Sequence, residues 1–295
     1  MALASTDTPA QVERKTSLLS RLGLRVNVFQ IVLTLIVVAL LLFTLLPILY
    51  MVTTSFKEPI EIRRSGAFFP ETVTDINWVR AYRNVPVHLY LGNSTLVALG
   101  SALFAVAVGI PISYVIARFH FGGGFLKNWI LGTYITPPIV ISIPIFLMFR
   151  TAGLIDSKLG LAILHGVAAL PVAVWLLESF IRKVPRDIDE AAWIDGAGHF
   201  GTLVRIIVPV ILPGLIATFI ICMVLSWNEF LFALVLTYTR NAQTFPIGIS
   251  NYIGEHGQQF GEMSAAALGG LVPIYLLAFF FQRYLVQGLS SGTVK

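Results

Sequence analysis

The residues best placed to do chemistry in this sequence are few. Trp227-Asn228-Glu229-Phe230 sets a carboxylate and an amide between two aromatic rings, mid-way along an apolar run. An ionisable residue inside a membrane span is costly and marks a functional position by default. Asn228 and Glu229 can hydrogen-bond hydroxyl groups while an aromatic ring stacks on the face of a pyranose. The same residues also fit a plainer role, an interhelical hydrogen bond of about 1 kcal/mol that fixes packing. The residues by themselves leave both open. Ser226, Thr218 and Thr237 read as packing residues.

A second constellation is acidic. Asp187 to Pro213 is the longest run in the second half of the chain that a bilayer could not hold as a spanning helix. Asp187 and Glu190 have capping-box spacing, with Asp187 as the N-cap, and Pro185 stands where the helix has not yet begun. Asp187, Asp189 and Glu190 favour the positive end of that helix. Ile188, Ala191, Ala192 and Asp195 share a face by their spacing, and the two alanines leave it shallow enough for another surface. Gly196 and Gly198 supply stop and turn positions. A further short segment, Phe200 to Val208, ends at Pro209. This is the pattern of a docking element at a membrane surface.

Other chemistries lack their residues. There is no GxxxxGK[ST] phosphate loop and no GxSxG elbow. The five histidines, at 88, 120, 165, 199 and 256, have no zinc-ligand spacing. Cys222 is the sole cysteine, so an intrachain disulfide and a multi-cysteine metal site are excluded. The sequence predicts no enzyme and no cofactor in this chain, and no basic stripe suited to nucleic acid.

The elements that must position these residues are membrane spans. Of 295 residues, 56% are hydrophobic and 12% charged, and mean hydropathy is +0.82; soluble domains carry about 25% charged residues. Six apolar runs are expected to cross the bilayer: 28–52, 91–117, 129–149, 159–180, 211–238 and 264–285. The first is too long for a signal-peptide core and has no cleavage site. Asn93-Ser94 is a plausible helix cap at the start of the second. Pro137-Pro138 and Pro144 break the third, which a bundle tolerates where neighbours or water satisfy the freed carbonyls. Glu178 is expected to reach the interface at the inner end of the fourth.

Twelve of the 20 Lys and Arg fall on the N-terminal side of the membrane in this plan and eight on the other. The bias places the N-terminus inside, and with it the Asp187–Pro213 segment. The expected organisation is a cytoplasmic segment 1–27, a permease domain 28–285 containing a cytoplasmic loop 181–210, and a cytoplasmic tail 286–295. Loops 53–90 and 239–263 then lie outside.

With those residues in view, a resemblance can be stated. Glu190-Ala191-Ala192, three residues, Gly196, nine residues, Ile206, one residue, Val208 and Pro209 resemble the EAA loop of bacterial ABC importer permeases. Asp195 and Ala197 complete the fuller form, and Val208 stands where the family usually has leucine. The Trp227–Phe230 run and Asn93-Ser94 are similar to runs in carbohydrate-type permeases. The tail from Gly288 to Lys295 resembles the end of maltose-type permeases that reaches into the ATPase, with Thr293 in place of a usual glycine.

The resemblance covers essentially the whole chain, and what it implies is an all-α, polytopic, type I ABC importer permease. It would have six transmembrane helices and a cytoplasmic coupling helix, and would sit in the bacterial inner membrane with both termini cytoplasmic. Glu190, Ala191, Ala192, Asp195, Gly196, Ala197 and Pro209 would couple to the ATPase. Trp227, Asn228, Glu229 and Phe230 would line a sugar pathway, and Asn251, Tyr252 and Glu255 would meet a binding protein. The implied partners are two ATPase subunits carrying ATP and Mg, a second homologous permease in a heterodimer, an extracytoplasmic solute-binding protein and the lipid bilayer. The alternative is an ion-gradient-driven secondary carrier, which usually needs internal repeats and paired intramembrane charges. No clear repeat is present.

Overall fold

The structure is a computed structural model, and it describes residues 28–64, 66–119, 122–254 and 257–290. It divides into two compact units, one ending at Tyr50 and one running from Met51 to Lys295. The first holds most of helix α1 (Val28–Ser55). In the second follow α2 (Pro59–Arg64), α3 (Ile76–Asn84), α4 (Val87–Phe119), α5 (Gly123–Ile135), α6 (Pro138–Thr151) and α7 (Lys158–Lys183). Next come α8 (Arg186–Ile194), α9 (His199–Val210), α10 (Leu212–Trp227), α11 (Leu231–Leu236) and α12 (Phe245–Ser250). A two-residue hairpin, β1 (Ile253–Gly254) against β2 (Gly257–Gln258), precedes α13 (Phe260–Ser290). The all-α expectation therefore holds, with the hairpin its one small exception among the described residues.

Four helices, α1, α4, α7 and α13, are each long and apolar enough to cross a membrane. The count reaches six only if two bent pairs each make one span: α5 with α6, bent by 92°, and α9 with α10, bent by 83°. Chemistry explains the first bend. Pro137 and Pro138 donate no N–H, and Thr136 before them is pushed to extended backbone at φ −65°, ψ 122°.

The frame of the second unit is α4 packed on α7. Ala98, Ala102 and Ala105 of α4 are buried with Ala169 and Ala173 of α7. With Gly109 and with Ala162-Gly166 they form matching rows at i, i+4, i+7, i+11 spacing, so both rows face one way. Small residues let the backbones approach, which matters where apolar lipid supplies no hydrophobic drive between helices. A Cβ added at Gly166 would lie 2.7 Å from the Phe104 ring and 3.0 Å from the Ser101 carbonyl oxygen. The Ser113 hydroxyl donates across the same seam to the Val174 carbonyl at 3.1 Å.

The expected cap at Asn93-Ser94 does not form, because α4 begins at Val87 and both residues are buried in its second turn. Their side chains hold the 240–245 loop instead. Asn93 Nδ2 donates to the carbonyls of Arg240 (3.0 Å) and Gln243 (2.8 Å), and Ser94 Oγ accepts from the Phe245 N–H at 2.8 Å. Glu178 is buried and ion-paired to Arg182 one turn on at 2.5 Å.

Asp156 pins the α6–α7 turn. It adopts φ 57°, an unusual backbone for a residue other than glycine. Its carboxylate accepts from the Tyr238 N–H (3.0 Å), the Thr239 N–H (2.9 Å) and the Thr239 hydroxyl (2.6 Å). Burial pushes this carboxyl upward, but the bonds from Thr239 and Tyr238 outweigh it and hold the pKa below the ordinary value. A depressed pKa stabilises the fold above the unfolded value of about 3.9 and is lost as pH falls through the folded one. Asp156→Asn should lower the thermal midpoint in detergent at pH 7, and the gap to the parent protein should close below about pH 4. Gly166→Val should cost about 1–3 kcal/mol by overpacking. Gly132→Ala, inside α5 where an added Cβ meets nothing within 4 Å, should not lower the same thermal midpoint, since alanine favours a helix interior over glycine.

Candidate coupling surface and helix break

Helix α8 starts one residue before Asp187, so the expected capping box is corrected. Pro185 occupies the cap position at φ −54°, ψ 140°, and no side chain caps the helix. Asp187 becomes its second residue. The acid that matters structurally is Asp189. Its Oδ2 lies 2.8 Å from Arg118 Nη2, with side chains only 2% and 4% exposed. Its Oδ1 accepts from the Tyr114 hydroxyl at 2.9 Å, and Arg118 also donates to the Val184 carbonyl at 3.0 Å. The last turns of α4 thus grip both the entry to α8 and its inward face.

Aromatic rings extend that grip. Phe119 lies 6.4 Å from Trp193 and 5.1 Å edge-on from His199, and Trp193 meets His199 edge-on at 4.8 Å. Such pairs are worth about 0.5–1.5 kcal/mol each beyond their burial.

The helix ends as glycine placement predicts. Gly196 has φ +85°, its N–H donates to the Trp193 carbonyl (3.1 Å), and the Ala197 N–H donates to the Ala192 carbonyl (2.8 Å). These two bonds are the Schellman closure. Nothing crowds a Cβ at Gly196, so glycine is required there by backbone handedness, at about 1–2 kcal/mol for another residue. Gly198 has φ −68° and carries no such requirement.

The faces of α8 differ from expectation. The Asp189–Arg118 pairing turns Asp189 and Ala192 inward, with Ile188 half-buried, while Glu190, Ala191, Asp195 and Gly196 are exposed and Ala197 is half-buried. The supposed common face of Ile188, Ala191, Ala192 and Asp195 is therefore split. Two residues the sequence reading passed over dominate the outward side: Ile194, 86% exposed, and Phe200, 79% exposed. Their signal was visible as lone apolar residues in a polar, capped loop.

Pro209, exposed, follows a π-helical turn over Leu203–Ile207, where the Val208 N–H donates to the Leu203 carbonyl. Proline lacks an N–H and collides with the carbonyl four residues back, and a wider turn relieves this. The bend at Ile211 follows at once.

Some 24 Å along α10, at 1.5 Å per residue, the fifth run breaks. Trp227 is buried, and α11 starts only at Leu231. The Asn228 side chain folds back to the Val224 carbonyl at 2.8 Å. Glu229 accepts the N–H groups of Phe232 (2.9 Å) and Ala233 (3.2 Å), satisfying two donors that a new helix leaves open. His165 of α7 meets the same carboxylate, Nε2 to Oε2, at 3.0 Å. Asn228 and Phe230 are the exposed members of the four. The expected single span is interrupted here because its carboxylate bonds to backbone that a continuous helix would have paired internally.

A pocket of about 150 Å³ adjoins Trp227, lined by Thr95, Met223, Val224, Pro273, Ile274 and Leu277. Its one hydroxyl, on Thr95, is already bonded to the Leu91 carbonyl at 2.8 Å. The lining is apolar and offers no set of groups to read sugar hydroxyls.

In the 239–263 loop, Tyr252 is 1% exposed, with its hydroxyl on the Ala81 carbonyl at 2.8 Å. Tyr252 therefore packs inward and is withdrawn from the expected contact face. Asn251 is exposed, Glu255 lies outside the described residues, and so does the tail from 291 to 295.

Removing one partner of a buried ion pair costs about 3–5 kcal/mol, because the other charge stays buried alone. Arg118→Met should therefore release α8, read as faster tryptic cleavage after Lys183 and Arg186 in the purified protein. Arg118→Met with Asp189→Leu should recover most of the protection.

Comparison with known proteins bears on what such a chain does. Residues 109–291 match the family model described as "Binding-protein-dependent transport system inner membrane component". The trehalose transport system permease protein SugB of Mycobacterium tuberculosis is 34% identical over 86% of this chain and 93% of its own length. The sulfoquinovosyl glycerol transport system permease protein SmoH of Agrobacterium fabrum is 32% identical, covering 85% and 89%. The trehalose/maltose transport system permease protein MalG of Thermococcus litoralis is 32% identical, covering 85% and 91%. Among solved structures, a chain of a bacterial ABC transporter that imports alginate shares the fold with TM-score 0.73, at 19% identity over 87% of this chain and 96% of that one. A family match over more than half the chain, together with a relative 34% identical over most of its length, makes the protein a membrane-spanning permease subunit of the binding-protein-dependent ABC importers.

Proposed function

We propose that this subunit imports a sugar or sugar derivative across the bacterial inner membrane, driven by ATP hydrolysis on separate subunits that hold ATP and Mg. The trehalose, maltose and sulfoquinovosyl glycerol permeases named above support the substrate class. The relatives named above are all transport-system permeases, and no observation favours a secondary carrier.

One observation carries the coupling role. The loop from 181 to 210 is fixed on its inner side by Arg118–Asp189 and presents Glu190, Ala191, Ile194, Asp195 and Phe200 outward. An apolar pair ringed by acids suits a cleft with greasy walls and basic rims on an ATPase subunit. Glu190 would meet an arginine there. Closure of the ATPase dimer would push a loop that cannot shear off the bundle, so α4, α7 and α10 would move with it. Asn228 and Phe230 would face the pathway, and a second, homologous permease would supply the polar recognition that the apolar pocket lacks. Both termini and this loop would lie in the cytoplasm, and Asn251 and its neighbours would meet the binding protein on the other side.

Gly198→Cys in a Cys222→Ser background tests this. The site is exposed, and an added Cβ meets nothing within 4 Å. A membrane-impermeant maleimide should label it in inside-out vesicles and not in right-side-out ones. A short thiol–amine crosslinker should join it to the co-purified ATPase. Labelling from the outer side alone would remove the coupling role.

A further inference from the structure

His165 is buried against the carboxylate that sits at the break between α10 and α11. Its Nδ1 lies 2.9 Å from Ser226 Oγ of α10, and its Nε2 lies 3.0 Å from Glu229 Oε2 at the break. The Nε2 contact is close but misses hydrogen-bond angles, so it is an electrostatic contact. The imidazole side chain is 1% exposed and that of Glu229 is 19% exposed.

Glu229 is already committed. Its two oxygens hold the first N–H groups of α11. The carboxylate therefore acts on the backbone of the break, and the groups free to meet a solute there are Asn228 and Phe230. His165 touches neither; it acts through Glu229. Its own position is fixed, since the next residue, Gly166, lies tight against Phe104 and the Ser101 carbonyl of α4.

Topology gives this contact a function. Helix α7 enters the coupling loop at Lys183, and α10 leaves it at Leu212. The two helices run away from the loop for about 27 Å and 24 Å, at 1.5 Å per residue, and His165 rejoins them at the far end. We propose that His165 is a positioning residue for solute passage: it holds Glu229, and through it the break at 228–230, to the rigid α4–α7 pair. Displacement of the coupling loop then moves the break as one piece with α7. This rests on the importer reading given above.

The test uses the complete reconstituted transporter with Cys222→Ser and a reporter, Phe230→Cys. A charged methanethiosulfonate reagent is applied in the nucleotide-free state and after trapping with ATP and vanadate. With His165 present, the labelling rate should differ between the states by about fivefold or more, the factor corresponding to roughly 1 kcal/mol. His165→Ala should bring the ratio close to one while binding-protein-stimulated ATP hydrolysis continues. His165→Gln, which keeps a donor near the Nε2 position, should restore it. An unchanged ratio in His165→Ala overturns the proposal, and so does loss in His165→Ala without recovery in His165→Gln, which marks a merely structural residue. If His165→Ala fails to assemble, Ser226→Ala replaces it: a reduced ratio supports the proposal and an unchanged one overturns it. No difference between the states with His165 present would instead strike at the pathway reading on which this rests.

Discussion

A buried charge needs a partner, and that requirement shapes the end of the fold where α4 meets α8. Arg118 sits at the end of α4 and Asp189 in the middle of α8, each almost wholly enclosed. Alone, either would be expensive; paired, their charges offset each other, while Asp189 accepts from Tyr114 and Arg118 donates to the Val184 carbonyl. The geometry of that cluster decides which side of α8 faces the bundle. It therefore decides which side faces away, and Glu190, Ala191 and Ile194 are exposed because Asp189 is not. A charge pair and three aromatic rings hold this outward face from behind.

The same reasoning applies one layer deeper. Apolar helices in lipid gain little from mere contact, so close packing carries the weight. The alanine and glycine rows of α4 and α7 bring two backbones near enough for Ser113 to bond across to Val174. Beside that pair, α5–α6, α9–α10 and α10–α11 are interrupted, at Pro137-Pro138, at Ile211 and at 228–230, while α13 is continuous. Each interruption leaves backbone groups to be satisfied, and at 228–230 the Asn228 and Glu229 side chains satisfy them. Rigidity is concentrated in one pair of helices, and bends are confined to segments that lean on it.

Much of this was legible from residue order. Composition and run length gave the helical membrane class, and the glycine at 196 gave the helix stop, because only backbone handedness decides that position. The start of the short helix at Arg186 was legible to within a residue. What misled was polarity read locally. Asp187 with Glu190 had the spacing of a cap, yet Pro185 took the cap and Asp189 found its partner 71 positions upstream. Asn93-Ser94 likewise had a capping signature, but its true partners lie in the 240–245 loop. Tyr252 in a polar loop suggested exposure, and its ring is buried under α3. In each case a distant partner won over the local motif, and distance along the chain is what a single sequence does not display.

The position of Glu229 shows why pattern and role can separate. A carboxylate among aromatics inside a span suggests a ligand for sugar hydroxyls. Here the carboxylate already accepts two backbone N–H groups and stands against the His165 imidazole at 3.0 Å. Its cost in the membrane is offset by work within the chain, in ending one helix and starting the next. The neighbouring pocket points the same way, since its walls are apolar and its one hydroxyl is taken. Selectivity for a polyhydroxylated solute requires unpaired donors and acceptors facing it. Asn228 and Phe230 alone supply little of that. The polar groups at this break are spent mainly on ending one helix and starting the next.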